Sequence, residues 1–117
     1  MIVDETIRFI RANRERPFYA NVWTLLPHAP LAPTEEQMAP FAKLQPGPHV
    51  PHKSAWQIYN ASLTNLDAEL GRFFKKLEEM GQAENTIVLF SSDNGPEDIH
   101  IQNAAHSGVG SPGPLRG

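Results

Sequence analysis

The chain has 117 residues, 40% of them hydrophobic and 20% charged, and its net charge is -3 with the histidines neutral. That is the size and composition of one globular domain rather than a disordered tail, and the scattered Arg and Lys residues form no basic stripe for nucleic acid. No apolar run approaches the ~20 residues of a membrane span, and the absence of cysteine excludes disulfides, thiolate metal sites and a Cys-derived nucleophile within these residues.

The first element is helical. Val3, Ile7 and Ile10 recur at helical spacing, with Asp4 and Glu5 early and Arg8, Arg11 and Arg14 late, a charge order that complements the helix dipole. This predicts an amphipathic helix from Val3 to about Asn13, ended at Arg16-Pro17 because the residue before proline is pushed out of the helical region. The same stretch lacks the apolar core of a secretory signal, which is the expectation for a cytoplasmic protein or a piece of a larger one.

Residues 18–26, FYANVWTLL, are rich in aromatic and β-branched side chains and predict a buried strand. A Pro-rich loop of ~25 residues follows, long enough to suggest a functional segment, with a short helical turn over 35–42. Tyr59, Leu63, Leu66, Leu70, Phe73 or Phe74, Leu77 and Met80 then step by fours and threes, the pattern of a long amphipathic helix closed by Gly81. Residues 86–90 predict a second strand, and the rest is rich in Gly, Pro, Asn, His and Ser. Strand, crossover helix and strand make a βαβ unit with parallel strands, the α/β class. By itself this unit leaves unpaired strand edges and a bare sheet face.

In open α/β sheets, ligands bind beyond the carboxyl ends of the strands. Parallel strands would bring His28, in PHAP, and Asp93-Asn94, in SSDNGPE, to the same rim. Asp93 and Asn94 offer a carboxylate and an amide carbonyl, hard oxygen donors suited to Ca²⁺ or Mg²⁺. Asp-Asn-Gly is more commonly a turn former, and a loop histidine without a role is the favoured reading of His28 from the residues alone. Asp67 falls on the apolar stripe of the long helix, where a carboxylate needs a partner, so it either caps or anchors neighbouring backbone or sits at the stripe's edge, with a structural role expected. Gly71 suggests close helix–sheet packing.

Three segments in order resemble the sulfatases of the alkaline-phosphatase superfamily, the arylsulfatases and N-acetylgalactosamine-6-sulfatase-like enzymes. RPFYANVWTLLPHAPLAP is similar to the family's strand and Pro-His-x-Pro loop. YNASLTNLDAELGRFFKKLEEMGQAENTIVLFSSDNGPE resembles its helix with an internal Asp and Gly and the strand ending in Ser-Asp-Asn-Gly. GSPGPLRG resembles the segment that introduces a catalytic lysine. The resemblance implies a partial alkaline-phosphatase-like three-layer sandwich with long Pro-rich loops. It implies Asp93 and Asn94 as metal ligands, for Ca²⁺ with Mg²⁺ as the alternative, and His28 as the histidine that contacts the sulfate group and serves catalysis. His106 is placed near the substrate pocket by resemblance only, and a solvated loop histidine is the other reading.

The departures define what is expected of these residues. The family's Cys-x-Pro-Ser-Arg motif, whose Cys or Ser becomes formylglycine, has no counterpart, because there is no Cys and Gly110-Ser111-Pro112 has the wrong order. The family's N-terminal pair of Asp metal ligands and the lysine after Gly-Pro-Leu-Arg-Gly are also missing. Residues 1–117 therefore read as one partial sulfatase catalytic domain, part of an enzyme that hydrolyses sulfate esters, and as inactive in isolation. The implied partners are a sulfate ester substrate and a second polypeptide completing the sheet, with no nucleic acid and no membrane. A non-catalytic or split-enzyme binding module, or a piece of a phosphodiesterase or phosphonate hydrolase of the same superfamily, are the alternatives. The family's members are mostly periplasmic, secreted or lysosomal. Substrate choice is expected to lie in 31–53 and 97–111.

Overall fold

The computed structural model describes residues 2–44, 54–96, 109–111 and 113–114. Three α-helices lie among them: α1 (Ile2–Asn13), α2 (Glu35–Met38) and α3 (Ala55–Glu79). Short 3₁₀ turns follow α2 at Ala39–Phe41 and α3 at Ala83–Asn85. No helix among the described residues is long and apolar enough to cross a membrane.

The chain divides into two compact units, Met1–Thr24 with Leu66–Phe90 and Leu25–Asn65 with Ser91–Gly117, so the division falls inside α3. In the first unit α1 forms as its periodicity predicts. Val3, Ile7 and Ile10 are buried, as is Leu77 of α3, and each such side chain contributes roughly 1.5–3 kcal/mol by leaving water. Arg72 of α3 holds Asp4 of α1 at 2.8 Å and Glu69 at 2.5 Å. These are partly exposed pairs, which orient the helices more than they stabilise them. Phe9 meets Phe18 edge to face, with ring centroids 6.2 Å apart.

The end of α3 follows from its sequence. Gly81 takes φ +66°, its N–H donates to Glu78 O, and the N–H of Gln82 donates to Leu77 O, both at 2.9 Å. This is the paired arrangement of a Schellman cap, which needs a left-handed residue at the glycine. In the second unit Thr34 caps α2. Its hydroxyl accepts from Gln37 N at 3.3 Å, while its own N–H donates to Gln37 Oε1 at 2.8 Å, a capping box. Among the described residues of this unit Leu31, Ala55 and Ala61 are the buried apolar ones, and Gln57 Nε2 of α3 donates to Met38 O at 3.1 Å, tying α3 to the end of α2.

The expected α/β class is corrected. Among the described residues there is no strand and no sheet, so neither the βαβ unit nor the three-layer sandwich is present. Residues 18–26 and 86–90 do lack helix, but they carry no strand ladder. They are not buried either: Trp23 is 77% exposed, Ile87 90% and Leu89 91%. The physical reason is that a strand is a property of pairing. Aromatic and β-branched composition favours an extended backbone, yet the ladder and the burial must come from neighbours. Gly71 is a second correction, since a β-carbon there would meet nothing within 4 Å and no close packing explains it. Asp67 is exposed rather than set on the buried stripe.

Candidate functional site

The sequence DNG folds as a local turn whose polar groups answer one another. Ser92 Oγ donates to Asn94 O at 2.6 Å, the Asn94 N–H donates to Asp93 Oδ1 at 3.0 Å, and Asn94 Nδ2 donates to Gly95 O at 2.7 Å. Such short side-chain to backbone bonds are what make Asp, Asn and Ser frequent in turns. The commitment of the Asn94 amide nitrogen leaves its carbonyl oxygen as the acceptor for other partners. Asp93 and Asn94 are both exposed. The turn reading and the ligand reading are therefore compatible: the backbone bonds shape the turn, and the turn presents one carboxylate and one amide carbonyl next to each other in the chain.

That donor set has the chemistry of a hard-cation site, because both groups are oxygen donors. It supplies only part of a shell of six to eight oxygens, and among the described residues no group of three or more His, Cys, Asp or Glu side chains gathers to hold a metal. The residues fit Ca²⁺ or Mg²⁺ in kind, as a fraction of its ligands.

His28 belongs to the same unit as Asp93 and Asn94. Its N–H donates to Leu25 O at 2.8 Å, and the Leu26–Pro27 and Ala29–Pro30 peptides on either side are cis. The imidazole is exposed, with Nδ1 2.5 Å from Ala29 O. That contact fits a ring whose Nδ1 carries the proton, with Nε2 as its second hydrogen-bonding atom. His106 lies outside the described residues, as does most of 97–111.

A small pocket of about 80 Å³ in the same unit is lined by Leu26, Ala32, Pro33, Gln37, Ser62 and Asn65. It is well below the roughly 300 Å³ at which ligand clefts begin. Neighbouring Asn60-Ala61-Ser62 has the pattern of a glycosylation sequon, but it lies within α3. Asn60 Nδ2 donates to Trp56 O at 2.7 Å and Ser62 is buried, unlike the surface loop that modification uses.

Sequence reasoning overlooked three residues around the turn. Ser92 is one, and its position two before Asn94 was a legible signal for a hydroxyl-to-carbonyl bond. Tyr59 and Gly110 are the others. Space for a β-carbon at Gly110 is taken by Pro96 and by the Tyr59 hydroxyl, a long-range approach that no local pattern announces.

Comparison with known proteins bears on what such a turn belongs to. Residues 1–113 match the family model described as Sulfatase. The chain is 32% identical to a steryl-sulfatase of Mus musculus, over 99% of this chain and 16% of that protein. It is 29% identical to an arylsulfatase of Clostridium perfringens, over 80% of this chain and 25% of that protein. An N-acetylgalactosamine-6-O-sulfatase of Bacteroides thetaiotaomicron is 27% identical, over 82% and 16%. No solved structure gives a match. The chain thus spans a quarter or less of the length of these relatives.

Proposed function

The chain belongs to the sulfatase family, and we propose that it forms part of a sulfate ester hydrolase in which Asp93 and Asn94 bind Ca²⁺, or Mg²⁺ in its place. The observation that carries this reading is the Ser92–Gly95 turn, whose internal hydrogen bonds shape a surface turn with an acidic and an amide oxygen donor on consecutive exposed residues. A hard cation bound there would act as a Lewis acid toward sulfuryl oxygen. Asp93 contributes the negative charge that retains the cation, and Asn94 a neutral donor that tunes its field. His28, with Nε2 as a second hydrogen-bonding atom, binds and orients the sulfate group or the leaving-group oxygen through that nitrogen.

Formylglycine is the nucleophile of the family, and this chain has no Cys and no serine in the required motif. The 117 residues are accordingly proposed to bind the cation without hydrolysing sulfate esters by themselves.

Titration of the chain with Ca²⁺, followed by calorimetry, tests the reading. Two side-chain donors should give weak binding, in the roughly millimolar range of the least charged Ca²⁺ sites. Asp93→Asn should remove it. Binding that Asp93→Asn leaves unchanged would refute the assignment, and turnover of an aryl sulfate by the purified chain would refute the proposed inactivity.

A further inference from the structure

Gly110 is a glycine for reasons of space. Its φ does not lie in the left-handed region, where Gly81 and Gly113 are found, so its backbone asks for no special residue. A β-carbon built on it, however, would lie 2.8 Å from Pro96 Cβ, 3.0 Å from Tyr59 Oη and 3.6 Å from Pro96 Cγ. Carbon atoms rest about 3.5–4.0 Å apart, so the first of these is a severe overlap.

The nearer neighbour cannot yield cheaply. Pro96 Cβ is fixed in a ring closed on its own backbone, so it moves only if the chain at residue 96 moves. Tyr59 stands on α3 and is half-buried, and its rigid ring carries the hydroxyl at a set distance from the helix. Gly110 thus lies against both a helix-anchored side chain and the residue that follows Gly95. Pro96 is two residues past Asn94 and three past Asp93.

We propose that Gly110 is a positioning residue for the Asp93–Asn94 turn. It lets the 109–111 segment close on Pro96 and Tyr59, and through Pro96 it sets where the two oxygen donors stand. This rests on reading Asp93 and Asn94 as cation ligands. A methyl group at residue 110 must push Pro96 away, and the turn two residues upstream moves with it.

The test uses the full chain with Gly110→Ala, Pro96→Gly, the two combined, and Asp93→Asn. Amide resonances of Asp93 and Asn94 are followed by heteronuclear NMR, and Ca²⁺ affinity by calorimetry. Gly110→Ala is expected to displace both resonances, leave those of α1 in place and weaken Ca²⁺ binding about tenfold, a loss that converts to ~1.4 kcal/mol. Pro96→Gly removes the clashing carbon, so the combined variant should be perturbed less than the sum of the single ones. Should Gly110→Ala fail to fold, recovery of the fold in the combined variant supports the same contact, and failure of both overturns it.

Unmoved Asp93 and Asn94 resonances in a folded Gly110→Ala protein overturn the proposal. So does wild-type Ca²⁺ affinity in Gly110→Ala when Asp93→Asn abolishes binding. Indifference of binding to Asp93→Asn refutes the ligand reading instead, and the two amide resonances then decide by themselves whether Gly110 places the turn.

Discussion

Alanine at Gly71 and alanine at Gly81 should move the stability of this protein in opposite directions. A β-carbon at either position meets no heavy atom within 4 Å, so neither substitution causes a collision. The difference lies in the backbone. Gly71 is interior to α3, where glycine is about 0.8–1.0 kcal/mol less favourable than alanine because it surrenders more chain entropy on folding. Gly71→Ala should therefore stabilise by ~1 kcal/mol, about a fivefold shift of the folding equilibrium.

Gly81 caps the helix at φ +66°. A side chain in the left-handed region costs roughly 1–2 kcal/mol, offset by the ~0.4–1 kcal/mol that alanine returns by restricting the unfolded chain. The net loss is about 1 kcal/mol, and the two variants should differ by ~2 kcal/mol. Urea unfolding followed by far-UV circular dichroism resolves that difference, provided the denaturant slopes agree among the proteins. A destabilised Gly71→Ala would refute the reasoning, because it would mean that another segment packs closely on α3 there. A neutral Gly81→Ala would mean that something other than the left-handed cap terminates the helix.

Two further expectations concern the two units separately. Leu77 is 2% exposed, and Leu77→Ala should cost about 2–5 kcal/mol through lost burial and the cavity left behind. Thermal unfolding reads it, and a loss under ~1 kcal/mol would show that the side chain is not in a packed core. Burial raises the pKa of Tyr59 above the ordinary tyrosine value, because desolvation disfavours the phenolate. The folded chain then keeps a proton that the unfolded chain loses. Stability from the buried phenol is thus complete below about pH 10 and falls as pH rises from there toward the folded value. Urea midpoints measured across that interval should decline in the wild type and decline less in Tyr59→Phe, and parallel curves would refute the shift.

Much of the helical structure was legible because its causes are local. The Val3, Ile7, Ile10 spacing and the Gly81 stop each act within one or two helical turns. The turn at Asp93-Asn94 was legible for the same reason, since its bonds join neighbours. Gly71 was misread because a helical stripe says which residues share a face, and not what covers each one. The approach of Gly110 to Tyr59 and Pro96 joins residues far apart in sequence, and no periodicity reports it.

The sequence alone determined the helices, the Gly81 stop and the donor chemistry of Asp93 and Asn94, together with the family that its motifs resemble. Only the tertiary structure decided that residues 18–26 and 86–90 carry no ladder and are not buried. It also placed Gly110 against Pro96 and Tyr59. A helix closes its hydrogen bonds within its own segment, so composition and spacing suffice to specify it. A strand completes its bonds on another segment, and a close approach needs a second surface, so both depend on where distant parts of the chain come to rest.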